Sequence, residues 1–584
     1  MVKNKQDISE KDPPALHSHI AAAFGTCWVV LMAYLYGFDR LSSAVTATLA
    51  ADPAILFNVG PHLDLPRLIA SLFWLACLFG AAALGGRLLL RCFKFEDLSF
   101  HEEILFGLGI GLGACSLLAL ALGLAGVFSP IMLRVFFIGM GIVVLSLHAW
   151  HPISKDILAS QLPTSGKISP SSAIAGMLIA ALVLINLIGA MAPPVFYDTL
   201  VYHLALPKLY LINHRIFPTP HNVYSGVPFN TEMLYAVGLA LGGESLATLI
   251  PWGLSIAILY AIAVWARRFA DGQVGLIAAL LFYSCPMVAI ATWFGLVELN
   301  WCFFNLLAVL ALLIGLERSA HFGPLWFMVI GVFAGLAGGV KYNALTILGG
   351  IPALLLWTRI RRQGRDWTQW APEAGLFLLA ALVAVSPWLL KNQVFYHNPI
   401  FPLFNEFFTG ASGGPDWQGL LQDAHARNLR ATFTTWRGFT DLFSVPWSKE
   451  WEGSGMHSTG IALLLFIPWL FFARKRSGQE APSVYQSLSW ILAFNWATWG
   501  LSSRLPRFFI FSIPLLAILL AMSLLSRSGG AGFRRSIAWV VILACIPNCC
   551  LIFNYWFKLG GWKVVLGQES RSEYLLHGQP GYFT

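Results

Sequence analysis

"PVFYDTLVYHLALPKLYLINHRI", residues 194–216, sets Asp198, His203, Lys208, His214 and Arg215 into a chain otherwise made of apolar runs. Tyr197, Tyr202 and Tyr210 stand among them, and Tyr224 follows just beyond. An apolar run of spanning length precedes the stretch near 172–192, and another follows near 245–266. The stretch is therefore a connection between membrane spans, and its own pattern is amphipathic. Leu200, Val201, Leu204, Leu211 and Ile212 fall on one face at helical spacing. This predicts a helix over 199–213 at the membrane surface, which Pro207 would kink or split.

The rest of the chain fits that frame. Of 584 residues 57% are hydrophobic and 11% charged, against roughly a quarter charged in soluble domains. Mean hydropathy is +0.69. A spanning helix needs about 20 apolar residues, and about 15 candidate spans recur, near 19–37, 66–88, 103–126, 130–149, 172–192, 245–266, 273–291, 296–316, 324–340, 344–358, 371–391, 456–473, 485–502, 506–526 and 535–556. The fold class is an all-α polytopic membrane protein. The glycine run "GLGIGLG" at 107–113 reads as a helix-packing face. The nine cysteines form neither a disulfide framework nor a CxxC metal motif.

Alternate loops carry the basic residues: Arg87, Arg91 and Lys94; Lys155 and Lys167; "RRFADG" at 267; "RIRRQGR" at 359; "RKR" at 474; "RSGGAGFRR" at 527. Cytoplasmic loops are enriched in Lys and Arg, so the N-terminus reads as inside and the C-terminus as outside. That enrichment also accounts for the net charge of +9 without nucleic acid. Residues 1–18 read as a retained cytoplasmic tail, 19–171 as an additional N-terminal membrane module of about four spans, 172–556 as the core, and 557–584 as a short outer tail. Two outer segments are long, 193–244 and 392–455. In the first, a second helix is expected from "PFNTEMLYAVGLALGG", with Asn230 as its cap and Gly242-Gly243 as its stop. Two such helices lying in the interface would roof a cavity.

Ionisable groups at this outer rim carry the chemistry. Asp198, framed by aromatics, can have its pKa raised toward general-base range by burial, or can cap the following helix. Glu232 reads as a site acid or as a first-turn acid, and Glu298 in "WFGLVELNW" as an acid facing a cavity. Lys341, Arg504 and Arg507 are cations on the outer side. They fit either an anionic partner such as a phosphate or snorkelling to headgroups. His203, His214 and His221 with Asp198 could hold a divalent metal, but their spacing matches no standard motif. No nucleotide motif is present: "GLAGGVKYN" at 335–343 is not a P-loop.

Several of these stretches resemble the GT-C glycosyltransferases, in the branch of bacterial aminoarabinose transferase and the protein O-mannosyltransferases. "FYDTLVYHLALPKLYLINHRI" resembles the first outer loop, and "PFNTEML" a later element of it. "GLIAALLFYSCPMVAIATWFGLVELN" resembles the helix pair ending in an acid, and "GVFAGLAGGVKYNAL" the helix closing on lysine. "SPWLLKNQVFYHNPIFPLFN" resembles the opening of the second outer loop, and "RLPRFFIFSIPLLAIL" a late span. The resemblance runs from about 172 to the end of the chain. It implies an inverting enzyme that moves a sugar from a polyprenyl-phosphate carrier to a hydroxyl acceptor on the extracytoplasmic face, in a bacterial cytoplasmic membrane, without a cofactor. It implies Asp198 as general base and Lys341, Arg504 and Arg507 as holders of the carrier phosphate. Glu298, Glu232, Tyr197, Tyr202, His203 and Asn392 would line the site. The mannosyltransferases carry an Asp-Glu pair where this chain has Asp198-Thr199, so a paired-acid mechanism does not carry over. Two other readings share parts of this pattern: a surface-glycan polymerase or ligase using a diphosphate carrier, and a multi-pass transporter or flippase. The last would place ionisable groups mid-span within internal repeats.

Overall fold

The computed structural model describes Trp28, Thr46, Thr48 and residues 59–577, apart from 94–97, 151–168, 220, 318–324, 364–366, 410–429, 448–458, 473–483, 503 and 526–529. The expected cytoplasmic tail and nearly all of the first span lie outside these residues. Among the described residues all regular structure is helical. The helices are α1 Leu65–Cys92, α2 Phe100–Leu124, α3 Pro130–Trp150, α4 Pro170–Met191, α5 Ala205–Ile212, α6 Asn230–Phe269, α7 Gly272–Tyr283, α8 Pro286–Trp293, α9 Glu298–Glu317, α10 Leu325–Gly338, α11 Ile347–Gln363 and α12 Trp367–Tyr396. Within the second long segment lie the short helix Asn405–Thr409 and α13 Trp436–Ser444, and after it come α14 Ile461–Phe466, α15 Val484–Gly500, α16 Ser512–Leu525, α17 Ala531–Leu559, α18 Gly561–Val565 and α19 Arg571–His577.

The chain is a multi-pass membrane protein. Eight described helices are long and apolar enough to cross a bilayer, or nine when α7 and α8, bent by 65°, count as one broken span. The other expected spans are shorter helices such as α10 and α16, so the count of about 15 is not reached by length alone. α9 is buried from Glu298 to Leu316. At 1.5 Å per residue its 20 residues cover about 30 Å, the hydrocarbon thickness. Its ends mark two polar tiers. At the Glu317 end, Arg268 bridges Glu102 and Glu317, each at 2.8 Å, and Arg87 meets Glu103 at 2.7 Å. At the Glu298 end lies the candidate site.

The alternate glycines of 107–113 serve three neighbouring helices at once. Cβ atoms on Gly107 and Gly111 would strike the backbone of Ala83, Arg87 and Ala82 in α1, while those on Gly109 and Gly113 would strike Leu307, Phe333 and Leu336 in α9 and α10. Gly111→Ala is expected to destabilise the fold by about 1–3 kcal/mol, because the obstacle is backbone and cannot rotate away. A fall in the thermal midpoint of the purified protein measures it. Residues 59–150 thus share one core with the later helices. The α2–α3 turn also carries the first outer loop: Gly123 O accepts from Ile216 N at 2.9 Å, and Phe128 N donates to His214 O at 2.9 Å.

That outer loop departs from expectation in two ways. The amphipathic segment is split, but at Leu204, one turn before Pro207. Pro207 sits in the first turn of α5, where its missing N–H costs least. The preceding residues Thr199–His203 are wound as a π-turn. The second helix is not a short interfacial one. α6 runs for 40 residues, through a break at Gly243 with φ 74° and ψ −163°, into a membrane span. Asn230 begins α6 and does not cap it. Its side chain donates to Leu336 O at 2.9 Å and accepts from Trp388 Nε1 at 2.7 Å.

Candidate functional site

Four stretches bring their charges to one place. Asp198 follows α4, Glu298 opens α9, Lys341 follows α10, and Arg507 lies in the short 3-10 turn Pro506–Phe509 before α16. Arg507 Nη1 is 2.7 Å from Asp198 Oδ2, and its Nε is 3.8 Å from Glu298 Oε1. Lys341 Nζ donates to the same Glu298 oxygen at 3.3 Å. Glu298 also sits at the positive N-terminal end of α9, which favours its charge. Both cations lie against the ring of Phe508: Lys341 Nζ is 4.0 Å from its centroid and Arg507 Cζ 5.5 Å. Cation–π attraction to one ring keeps two like charges side by side.

The π-turn sets the rest. An α-helix would put residues four and five positions on at widely different azimuths. The wider π-turn lets Tyr202 and His203 flank the side of Asp198. Tyr202 hydrogen-bonds Asp198 and its ring stacks on Tyr224 at 4.2 Å. Burial and the neighbouring carboxylate push the Tyr202 hydroxyl well above its ordinary range, so it stays a donor. His203 Nδ1 meets Glu232 Oε1 at 2.6 Å, with both side chains buried. Among the described residues no three His, Cys, Asp or Glu side chains gather as metal ligands would.

Asp198 is not the helix cap, since its side chain makes no cap hydrogen bond. Nor is its carboxyl raised, as burial alone predicts. Burial does push it up, but Arg507, His203, Lys341 and the Tyr202 hydroxyl together pull it further down, below the ordinary carboxylate range. It is an ionised group held by a counter-ion.

Other expected residues serve the frame. Arg504 differs from Arg507 although only two residues separate them. It takes a left-handed backbone, φ 54°, and its buried guanidinium donates to Gly500 O at 2.7 Å and Gly438 O at 3.0 Å. These bonds fasten α13 to the end of α15, and the structure does not bring Arg504 to Asp198 as a phosphate holder. Arg504→Gln is expected to cost about 1–3 kcal/mol by orphaning buried carbonyls, read as a lower thermal midpoint. Asn392 donates to Gly226 O at 2.6 Å and to the Tyr342 hydroxyl at 3.1 Å. It clasps the two outer segments together. Tyr197 is partly exposed, 37%, at the edge of the site. Lys391, not singled out in the sequence, is buried and donates to Ser225 O at 2.7 Å beside the rings of Trp388 and Tyr396. The signal that marked Lys341, a cation on the poorly basic outer side, applied to it equally.

No family model and no curated protein matches the chain. Among solved structures it is similar to ArnT from Cupriavidus metallidurans bound to undecaprenyl phosphate. The identity is 16%, the TM-score 0.45, and the match covers 69% of this chain and 78% of that one. It is also similar to the archaeal oligosaccharyltransferase AglB from Archaeoglobus fulgidus in complex with an inhibitory peptide and a dolichol-phosphate. There the identity is 15%, the TM-score 0.39, and the match covers 65% of this chain and 55% of that one.

Proposed function

We propose that the protein is an inverting glycosyltransferase that moves a sugar from a polyprenyl-phosphate donor to a hydroxyl acceptor at the extracytoplasmic face of the membrane. One observation carries this reading. A carboxylate, Asp198, is held against a guanidinium and within reach of an ammonium at the end of the spanning helix α9, just before the π-turn that leads into α5. These are the parts such a transfer requires. Phosphate leaves as an anion and needs no proton, but it needs cations where its charge develops. The acceptor hydroxyl needs a base. A single displacement at the anomeric carbon then inverts it. Arg507 and Lys341 take the phosphate, Asp198 takes the acceptor proton, and Tyr202 with the His203–Glu232 pair fixes the turn that presents Asp198. The amphipathic segment and the apolar helices suit a donor whose other end is a long isoprenoid.

The reading is tested with purified protein and a panel of polyprenyl-phosphate sugars. Mass spectrometry of surface glycoconjugates after deletion of the gene chooses the panel and the acceptor. The expected result is release of polyprenyl phosphate together with a new glycosidic product. Movement of lipid across a bilayer without any glycosidic product would replace the enzyme by a transporter.

A further inference from the structure

The charges in the site cancel at rest. Asp198 and Glu298 face Arg507 and Lys341, and all four are largely withdrawn from solvent: Asp198 and Glu298 are 8% and 1% exposed, and the Arg507 and Lys341 side chains 12% and 20%. A sugar phosphodiester brings one more negative charge into this balanced set. To be held, it must draw a cation from a carboxylate, and the geometry points to Arg507. Lys341 hydrogen-bonds Glu298 and lies directly over Phe508. Arg507 meets Asp198 end-on through Nη1, with Nε only at 3.8 Å from Glu298. A planar guanidinium offers five N–H donors and pairs best two at a time with phosphate oxygens, a geometry that a phosphate group supplies.

We propose that Arg507 is a counter-ion shared by Asp198 and the donor phosphate: it holds the carboxylate idle until a polyprenyl-phosphate donor draws it away, and only then does Asp198 take the acceptor's proton. This rests on the glycosyltransferase reading and adds to it a second role for Arg507 and an order of events. The groups that face Asp198 are Tyr202 and His203 from the π-turn, Glu298 from α9, Lys341 after α10, Tyr224 from the turn Val223–Gly226, and Arg507 itself. Arg507 is the strongest of those that oppose burial. As it is drawn to the phosphate, burial and the like charge of Glu298 raise the carboxylate's affinity for a proton, which makes Asp198 the stronger base toward the acceptor hydroxyl. The step then balances. The acceptor oxygen bonds to the anomeric carbon, and the bond from that carbon to the phosphate oxygen breaks, its electron pair staying on the phosphate. The acceptor's proton goes to Asp198. Asp198 loses its charge as the phosphate gains one, on oxygens that Arg507 already holds, so the total charge of the buried set does not change during reaction. Without a donor, Asp198 stays paired and leaves the acceptor hydroxyl intact.

The test is infrared difference spectroscopy of the full chain in lipid nanodiscs, with polyprenyl monophosphate added at neutral pH and binding followed separately by tryptophan fluorescence. Polyprenyl monophosphate reproduces the state left after transfer, with the phosphate on Arg507 and a proton on Asp198, so the expected result is a carboxylic-acid carbonyl band that grows with bound phosphate and is missing in Asp198→Asn. In Arg507→Gln the band is expected before any phosphate is added. Binding by the wild type with no such band overturns the shared counter-ion and leaves the glycosyltransferase reading standing. No binding by the wild type overturns both. The wild-type titration decides the matter even where Arg507→Gln does not fold.

Discussion

Asp198→Asn is expected to lower sugar transfer by about 100- to 10,000-fold, the range for losing a positioned general base, while the variant still binds polyprenyl phosphate. The substitution keeps the size of the side chain and its hydrogen bond with Tyr202 but removes the negative charge. Arg507 keeps Glu298 as a neighbour at 3.8 Å, so the anion-holding side of the site stays in place. The loss should therefore fall on kcat, with the donor KM little changed, since the base acts on the acceptor in the transition state. Turnover measured against folded protein, with donor binding measured alongside, gives the answer. Full activity in Asp198→Asn would remove it as the base.

Arg507→Gln is expected to lower kcat/KM by about 100- to 1,000-fold, the cost of losing a preorganised group that stabilises developing charge. Donor binding should weaken as well, which separates this variant from Asp198→Asn. Arg507→Lys should recover only part of the activity, because an ammonium keeps the charge and loses the planar fork. The substitution also leaves Asp198 and Glu298 buried with Lys341 as the remaining strong cation. Stranding a buried charge costs about 3–5 kcal/mol, so protonation of Asp198 is the cheaper outcome. Steady-state kinetics across donor concentrations, with the thermal midpoint as control, distinguishes a lost phosphate contact from a lost fold.

The spans were legible because hydropathy is written along one dimension. The run near 172–192 became Pro170–Met191, and that near 296–316 became Glu298–Glu317. Asp198, Glu298, Lys341 and Arg507 were legible for a related reason. Ionisable groups beside apolar runs are costly and stand out, and the structure joins these four. What could not be read depends on backbone geometry that leaves no periodic trace. The π-turn that turns both Tyr202 and His203 toward Asp198 follows neither a 3.6 nor a 2.0 repeat. The break at Gly243 looked like an end because a glycine pair ends many helices, yet the chain re-enters a helix one residue later. Arg504 and Arg507 are chemically the same residue, and only the left-handed backbone at Arg504 sends one guanidinium into backbone carbonyls and the other into the site. The raised Asp198 carboxyl failed because burial was visible in the sequence and the counter-ion, more than 300 positions away, was not.

The pairing of the α2–α3 turn with the first outer loop bears on where the chain can be cut. Ile216 and His214 hang by their backbones on Gly123 and Phe128, so the strap that carries Asp198 is anchored at its far end to helices the transfer chemistry never touches. A fragment starting near residue 172 would retain every charged side chain of the site and lose the abutment that holds one of them in register. Exchanging the first 150 residues for those of a related chain would then shift the reach of the base toward its acceptor without altering a single catalytic atom.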